Sequence, residues 1–204
     1  MTAVCTLQDV EKQYGGRTVL GPLNLTIEQG TVTGIRGING AGKSTLLSII
    51  SGSSKPTKGK RILHDVKYIG YVPQDLSLYD SMTGMENLRF WGYASGLNKA
   101  ACTARSKWLL RQMNLENKGD DPVSSYSGGM KRRLHLASAL MITPEILLLD
   151  EPTVGADAAS VDTILSMIVH FKNMGTAVIM ISHQSDELER ICDRMIVLKE
   201  GKLI

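Results

Sequence analysis

Residues 37–45 read Gly37-Ile38-Asn39-Gly40-Ala41-Gly42-Lys43-Ser44-Thr45, which fits the phosphate-binding loop pattern G-x-x-x-x-G-K-[ST]. Residues 31–35 before this stretch predict a short buried strand, and residues 46–50 after it predict the first turns of a helix. Glycines let the backbone fold tightly, so that successive N–H groups converge on an anion at the start of a helix. The stretch therefore predicts a loop that holds the phosphates of a nucleotide.

Two side chains at the end of this loop carry specific chemistry. Lys43 can reach the β- and γ-phosphates, and the hydroxyl of Ser44 can bind Mg²⁺. The alternative is a glycine-rich turn that contains Gly-Lys-Ser by chance. The predicted strand before the loop and helix after it favour the nucleotide site, but they do not say which nucleotide binds.

The composition is that of a folded, globular chain. With 204 residues, 43% of them hydrophobic, it can form one domain, or one domain with a small subdomain. The net charge of +3 is too small to indicate a nucleic-acid partner, and none is expected. Three cysteines without CxxC spacing indicate a reducing compartment. No run approaches ~20 apolar residues and no signal peptide is visible, so we expect a soluble, cytoplasmic protein.

The order of predicted elements indicates an α/β fold. Short strands at 3–9, 18–20 and 23–27 precede the first helix and predict a small antiparallel sheet. The polar, basic segment 52–66 is expected to be a solvated loop. Strands then alternate with helices, which predicts a parallel sheet with helices on both faces. The elements predicted there are a strand at 67–73, helices at 84–96, 99–115 and after Ser127, a strand at 145–149, a helix at 158–173, a strand at 177–181, a helix at 184–191 and a strand at 194–198.

Two of these helices have a predicted buried face. Apolar residues recur at helical spacing in each of them. In the helix at 99–115 they are Ala101, Ala104, Trp108 and Leu115, and in the helix after Ser127 they are Met130, Leu134, Ala137 and Met141.

Carboxylates and a histidine follow predicted core strands. Asp150 and Glu151 end the apolar run 146–149, and His183 follows the strand at 177–181. Ligands of open α/β sheets bind at the carboxyl ends of the strands, so these side chains are expected near the phosphate loop. Asp150 can hold Mg²⁺ through water, Glu151 can orient or deprotonate an attacking water, and His183 suits a γ-phosphate contact. A charged pair that merely ends a strand is the alternative.

A second helix start suited to an anion occurs at Ser127-Gly128-Gly129. The two glycines allow a ligand to approach the backbone closely. This stretch lies far from the first loop in sequence and has its own helix. Since one nucleotide does not need two such loops from one domain, the second indicates a partner subunit.

Taken in order, these motifs resemble those of the ATP-binding-cassette (ABC) ATPases along essentially the whole chain. The matching landmarks are Tyr14 as the adenine-stacking aromatic, Gly37 to Thr45 as Walker A, Gln74 as the Q-loop, Tyr126-Ser127-Gly128-Gly129-Met130 as the signature, Asp150-Glu151 as Walker B and its glutamate, Asp157 in the D-loop and His183 as the switch histidine. The family signature usually reads Leu-Ser-Gly-Gly-Gln, so Tyr126 and Met130 depart from it. The segment between Walker A and Gln74 is shorter than usual, and the chain stops soon after its last strand.

The resemblance implies how the site works. Two ATPase subunits would close head-to-tail around two ATP molecules, with Walker A of one facing Ser127-Gly128-Gly129 of the other. Implied nucleotide-binding residues are Tyr14, Gly37, Asn39, Gly40, Ala41, Gly42, Lys43, Ser44, Thr45, Ser127, Gly128, Gly129 and Asp157. Implied Mg²⁺-site residues are Ser44, Gln74 and Asp150, and implied catalytic residues are Glu151, His183, Gln74 and Lys43.

The resemblance also implies an architecture and partners. A P-loop NTPase core with a mostly parallel sheet would comprise residues 1–74 and 145–204, with a small antiparallel β subdomain, and a helical subdomain would span about 75–143. Aromatic residues concentrate in 79–93, where ABC transporters form the groove for a membrane subunit, so a transmembrane permease is expected to dock near 75–95. The sequences of residues 78–79 and 82–88 resemble those of ABC exporters that have separate membrane subunits. The protein would then be peripheral on the inner face of the cell membrane.

Three other readings compete with this one. Asn117-Lys118-Gly119-Asp120 matches the N-K-x-D pattern of guanine-specific GTPases, although in them it ends a buried strand and here it follows a predicted helix. A soluble ABC protein of translation control or DNA repair is a second possibility. A non-enzymatic binding module with an inactive cassette is a third.

Overall fold

The computed structural model describes residues 2–204 and consists of nine strands and six α-helices. The strands are β1 (Ala3–Tyr14), β2 (Arg17–Glu28), β3 (Val32–Arg36), β4 (Lys58–Leu63), β5 (Ile69–Val72), β6 (Ile146–Asp150), β7 (Ala177–Ile181), β8 (Arg194–Lys199) and β9 (Lys202–Leu203). The helices are α1 (Lys43–Ser51), α2 (Gly84–Ala94), α3 (Lys99–Gln112), α4 (Gly128–Ala139), α5 (Ala158–Asn173) and α6 (Ser185–Ile191), with short 3₁₀ turns at Glu116–Lys118 and Val123–Ser125.

A six-stranded sheet with the order β5-β6-β7-β3-β8-β9 forms the centre. Its first five strands run parallel, and β9 pairs antiparallel with β8. Alternate residues of β6 pack on opposite faces: Leu147 and Leu149 lie in the cluster that includes α3, α4 and α5, whereas Ile146 and Leu148 lie in the cluster that includes α1. The central strands β6 and β7 are therefore buried on both faces, which explains why they are almost wholly apolar.

A separate three-stranded sheet, β2-β1-β4, is antiparallel. The strands predicted at 3–9, 18–20 and 23–27 are in fact two 12-residue strands joined by the tight turn Gly15-Gly16, both glycines having positive φ. The parallel-rich and antiparallel sheets together confirm the predicted fold class.

The prediction of a loop throughout 52–66 was wrong, because β4 lies within that segment. Lys60 pairs with Gln8 and Leu63 pairs with Cys5 at the edge of the antiparallel sheet. The strand was missed because an edge strand leaves its basic side chains in solvent, so its sequence lacks an apolar pattern. Lys58 contributes one ion pair, with its Nζ 3.2 Å from Glu11 Oε2.

The buried face predicted for α3 was wrong in part: Leu115 is buried and Trp108 packs against the core, but the two alanines do not. Ala101 and Ala104 are exposed, and the residues that α3 buries are Cys102, Ser106, Leu109 and Leu110. Alanine is compatible with either environment, so it is a poor marker of a buried face, whereas the adjacent leucines decide which side packs on α2 and α4. The longest helix, α5, has 16 residues, and within residues 2–204 no helix combines the length and apolar character needed to cross a membrane.

One histidine is part of the core. His135 on α4 is only 3% exposed, and the backbone N–H of Ser77 donates to its Nε2 at 3.3 Å. Burial, and secondarily the positive charge of Arg132, lowers the pKa of His135 from 6.5 to about 4. The ring is therefore neutral at pH 7.

We predict that this buried ring makes the protein acid-sensitive. The unfolded chain takes up the proton below pH ~6.5, whereas the folded chain resists it until about pH 4, so the stability that the neutral ring secures at pH 7 is lost as the pH falls through this window. The pKa difference corresponds to at most about 3 kcal/mol. Urea unfolding between pH 7.5 and 4.5 should show a shallower decline in the free energy of unfolding for His135→Phe than for wild type.

His64 provides the matched control. It is exposed, and its ring nitrogen Nε2 lies 3.1 Å from Thr6 Oγ1. His64→Gln should reproduce the wild-type decline with pH. Equal declines in wild type and His135→Phe would contradict the assignment.

Candidate functional site

Four neighbouring parallel strands end at one edge of the central sheet, and each is followed by residues predicted to be functional. The strands are β5, β6, β7 and β3, which are adjacent in that order. Gln74 follows β5, Asp150 ends β6 and is followed by Glu151, His183 follows β7, and the phosphate loop follows β3. The sheet topology thus brings these side chains to the same edge, as expected for ligand sites in open α/β folds.

The phosphate loop ends at α1, whose first backbone N–H groups are free of side-chain caps. Helices α2, α3, α4 and α5 each have a capping side chain that accepts from the first turn, but the cap of α1 is Gly42, which has none. Gly42 has φ of 100°, and a Cβ here would lie 2.8 Å from Val19 O. Uncapped donors and the positive end of the helix suit an anion.

The ammonium group of Lys43 folds back over the loop. Its Nζ donates to Gly37 O at 2.7 Å and to Ile38 O at 3.1 Å, and the residue is 8% exposed. These bonds hold the charge at the mouth of the loop, where phosphate oxygens would be alternative acceptors.

Glu151 lies in a strained backbone conformation. Its φ is 52°, in the left-handed region that a glutamate adopts rarely, and its N–H donates to Ile181 O at 2.9 Å. Its Oε1 lies 3.1 Å from Nε2 of His183, and its Oε2 lies 3.5 Å from Nε2 of Gln74. The turn therefore directs the carboxylate between residues that follow the two flanking strands.

The signature stretch packs against its own chain through Gly129. A Cβ at Gly129 would lie 2.4 Å from both Asp157 Oδ2 and Ser160 Oγ. Asp157 caps α5 by accepting from the N–H and the hydroxyl of Ser160, and these bonds lower the pKa of its carboxyl. Gly129 is thus required by a close intramolecular approach, in addition to the ligand approach inferred from the sequence. Ser127 caps α4 by accepting from Met130 N–H at 3.3 Å.

Tyr126, which departs from the usual signature, has a structural role. Its hydroxyl donates to Lys118 O at 2.5 Å and lies where a Cβ on Gly84 would collide with it. Burial, with smaller contributions from Asp121 and Asp120, raises the pKa of Tyr126 to about 12. The Asn117–Asp120 stretch therefore belongs to a 3₁₀ turn that anchors Tyr126, and it does not end a buried strand as a guanine-reading motif would.

Tyr14 lies at the tip of the β1–β2 hairpin and is 52% exposed. Lys12 Nζ covers one face of its ring, 4.8 Å from the centroid. The same hairpin approaches the phosphate loop, since Val19 O is the atom that a Cβ on Gly42 would meet first. A base could stack on the remaining face of the Tyr14 ring.

Sequence reasoning missed two residues that tie the loops of the site together. The buried carboxylate of Glu187 accepts from Thr153 Oγ1 at 2.6 Å and from Ser182 Oγ at 2.9 Å. Arg132 on α4 donates from Nη1 to Gln74 O at 2.5 Å and from Nε to Val154 O at 3.1 Å. The sequence alone indicates an exposed, solvated charge at both Glu187 and Arg132, because their hydrogen-bond partners are distant in the chain.

A family model described as ABC transporter matches residues 20–154. The chain belongs to the ABC transporter family. The linearmycin resistance ATP-binding protein LnrL of Bacillus subtilis is 37% identical over 207 residues, covering 97% of this chain and 67% of that protein. The Nod factor export ATP-binding protein I of Rhizobium etli is 38% identical over 214 residues, covering 100% and 67%. This ABC ATPase chain thus spans 67% of the length of both relatives.

Solved structures agree with this assignment. An ATP-binding cassette in a dimeric post-hydrolysis state, bound to ADP and Pi, has a TM-score of 0.87 at 27% identity, covering 98% of this chain and 96% of that chain. The cbiO1 protein of Clostridium perfringens, part of the cbiONQ transporter complex, has a TM-score of 0.88 at 29% identity, covering 100% and 88%. The resemblance to ABC ATPases is confirmed, and the protein is an ATP-binding ATPase subunit of the ABC transporter type.

We predict that Arg132 positions Gln74 for turnover. Arg132→Met should lower kcat about tenfold, roughly 1.4 kcal/mol, as expected for losing hydrogen bonds from a charged donor, while KM for ATP stays within about twofold. The kcat of Arg132→Lys should lie between those of wild type and Arg132→Met, because one ammonium group cannot reproduce the planar fork of guanidinium donors. Steady-state ATPase kinetics measure both parameters.

The adjacent Arg133 is the matched control. It lies on the same helix and also donates to two carbonyls, those of Met113 and Asn114, but these lie at the end of α3. Arg133→Met should lower the melting temperature and leave kcat per folded molecule unchanged. A kcat that falls equally in both methionine variants would show that Arg132 acts only on stability.

Proposed function

We propose that this ABC ATPase subunit hydrolyses Mg²⁺-ATP between two head-to-tail subunits and thereby powers export through a separate membrane subunit. The observation that carries the proposal is the convergence of Lys43, Gln74, Glu151 and His183 at the carboxyl ends of adjacent parallel strands. The names of the two relatives, one for resistance and one for export, support the direction of transport.

The residues at the site suit the nucleotide and its metal. The uncapped N-terminus of α1 and Lys43 provide donors for phosphate oxygens, and Tyr14 provides a ring face for adenine. The hydroxyl of Ser44, the side-chain oxygen of Gln74 and the buried carboxylate of Asp150 are the hard oxygen donors that Mg²⁺ prefers. Bound Mg²⁺ would neutralise charge on the phosphates.

Glu151 is the proposed general base or water-positioning residue. The strained turn aims its carboxylate between Gln74 and His183, so that it can accept a proton from an attacking water. His183 would stabilise charge that develops on the γ-phosphate. Since phosphoryl transfer requires little covalent chemistry from the protein, catalysis comes mostly from positioning and electrostatics.

A second subunit is proposed to complete the site. Ser127 Oγ accepts from Met130 N–H and keeps its own hydrogen for a phosphate oxygen. The start of α4, including Gly128 and Gly129, would supply the remaining donors, and Asp157 sits beside it. The dimeric state of one structural neighbour supports this arrangement.

The proposed docking region for the membrane subunit is residues 75–95. Tyr79, Phe90 and Tyr93 are 44%, 40% and 48% exposed there, and the Tyr79 and Phe90 rings pack edge-to-face with centroids 4.9 Å apart. Exposed aromatic side chains in one patch are typical of an interaction surface. Docking would place the protein on the inner face of the cell membrane.

We predict that Glu151→Gln retains ATP binding within a few-fold, lowers turnover by about 100-fold or more, and accumulates a dimer with ATP. The amide keeps the shape of the side chain but cannot accept the proton. Turnover and gel filtration with ATP measure the two effects. Glu189→Gln is the control, because Glu189 is an exposed carboxylate that pairs with Arg36. Turnover within a few-fold of wild type would remove Glu151 from the proposed role.

We predict that a photo-reactive amino acid at Phe90 cross-links to a multi-span membrane protein in the producing cell. The same group at Met174, which is 55% exposed beyond the end of α5, should give no such product. Mass spectrometry of the product identifies the partner. Cross-linking from Phe90 to ribosomal or DNA-repair proteins would instead favour a non-transport ABC protein, and an ATPase rate below detection with the membrane partner would favour an inactive binding module.

A further inference from the structure

A small cavity lies beside the proposed docking region. It has a volume of about 90 Å³ and is lined by Tyr71, Ser77, Trp91, His135, Ser138 and Ala139. A larger groove of about 300 Å³, which extends past Tyr68 and Ile142, shares four of these residues. The cavity is therefore the inner end of a groove that opens at the surface beside α2.

His135 presents an N–H donor without an acceptor. Its Nε2 accepts from Ser77 N–H at 3.3 Å, and the neutral ring must then carry its single proton on Nδ1. Within residues 2–204, Nδ1 has no hydrogen-bond partner, although it is fully buried. A buried donor left in this state costs about 1–3 kcal/mol, so a native protein normally supplies an acceptor.

Trp91 presents a second such donor in the same cavity. Its indole Nε1–H can only donate, and among the described residues it too lacks an acceptor. The hydroxyl of Ser138 donates to Leu134 O at 3.0 Å, and neither His135 Nδ1 nor Trp91 Nε1 donates to its oxygen. No carboxylate is among the residues that line the cavity. Two N–H groups without an acceptor, on residues that line the same cavity, suit a ligand that provides two oxygens.

Charges of both signs lie near the cavity. Burial, and secondarily Arg132, lowers the pKa of His135, whereas burial, and secondarily Asp150, raises the pKa of Tyr71. Neither Arg132 nor Asp150 lines the cavity, so the two N–H donors, and not a net charge, select the ligand. A space of about 90 Å³ is large enough for a carboxylate head or for water.

We propose that this cavity is a carboxylate pocket, in which one Asp or Glu side chain of the membrane subunit accepts hydrogen bonds from Trp91 Nε1–H and His135 Nδ1–H. The inference rests on the proposed membrane partner and adds the chemistry that it must present: a helix in the groove with an acidic residue aimed at its inner end. The groove then buries the surface of the partner helix, and the pocket fixes the position of that helix along the groove.

The first experiment uses acetate as the probe of the full-length chain. In ¹⁵N-labelled protein, the Trp91 indole and His135 imidazole N–H resonances should shift saturably with sodium acetate. Acetamide and sodium chloride should not produce this shift. Trp108 provides the reference resonance, and Trp91→Phe assigns the two indoles. His135→Phe should weaken acetate binding at least tenfold. A shift that does not saturate, or that chloride reproduces, would mean that the cavity holds water only and would overturn the proposal.

The second experiment uses the membrane subunit identified by cross-linking at Phe90. Trp91→Phe and His135→Phe should weaken its binding at least tenfold and leave the basal ATPase rate of the purified chain within about twofold. Trp108→Phe, which removes the other indole, should change neither. Melting curves verify that the variants fold. In the partner, replacing the matching acidic residue by Gln or Asn should have the same effect as His135→Phe.

The two experiments separate this inference from the proposed function. If wild type binds a membrane subunit but acetate does not saturate the cavity, the carboxylate pocket is wrong and the transporter assignment stands. If wild type binds no membrane subunit, the proposed function fails as well.

Discussion

The hydrogen-bonded register of β5, β6, β7 and β3 determines where every group of the nucleotide site lies. Leu149 pairs with Met180, and Ile35 pairs with Ile181, so the strands reach the same edge of the sheet together. A slip of one residue would turn each apolar side chain of a strand to the opposite face. The slip is unfavourable because it would disrupt the packing of both buried clusters. The loops that follow can therefore carry polar residues, because their anchor points are already fixed by the core.

Polar contacts add to the apolar cluster in linking α4 to this edge of the sheet. Arg132 reaches the carbonyls of Gln74 and Val154, and Gly129 lies against Asp157. Such contacts depend on direction and can re-form after a small rotation, whereas an interdigitated apolar interface resists sliding.

Motifs with local chemistry were predictable from the sequence, and contacts across the chain were not. The phosphate loop lies between a strand and a helix as predicted, and α5 has the predicted bounds, because glycine spacing and helical periodicity are local signals. The edge strand β4 was missed because its side chains face water, and Arg132 was missed because its acceptors are backbone carbonyls of distant loops. The functional roles of the site residues remain predictions, to be tested by substitution.

The positive φ of Glu151 implies that stability of the fold and catalytic activity favour different residues at that position. A non-glycine residue held in this region costs about 1–3 kcal/mol, and a glycine there would relieve the strain while removing the carboxylate. Selection for thermal stability alone would thus favour replacement of the glutamate, whereas selection for turnover would retain it. The folded chain keeps a locally unfavourable backbone as the cost of aiming one oxygen.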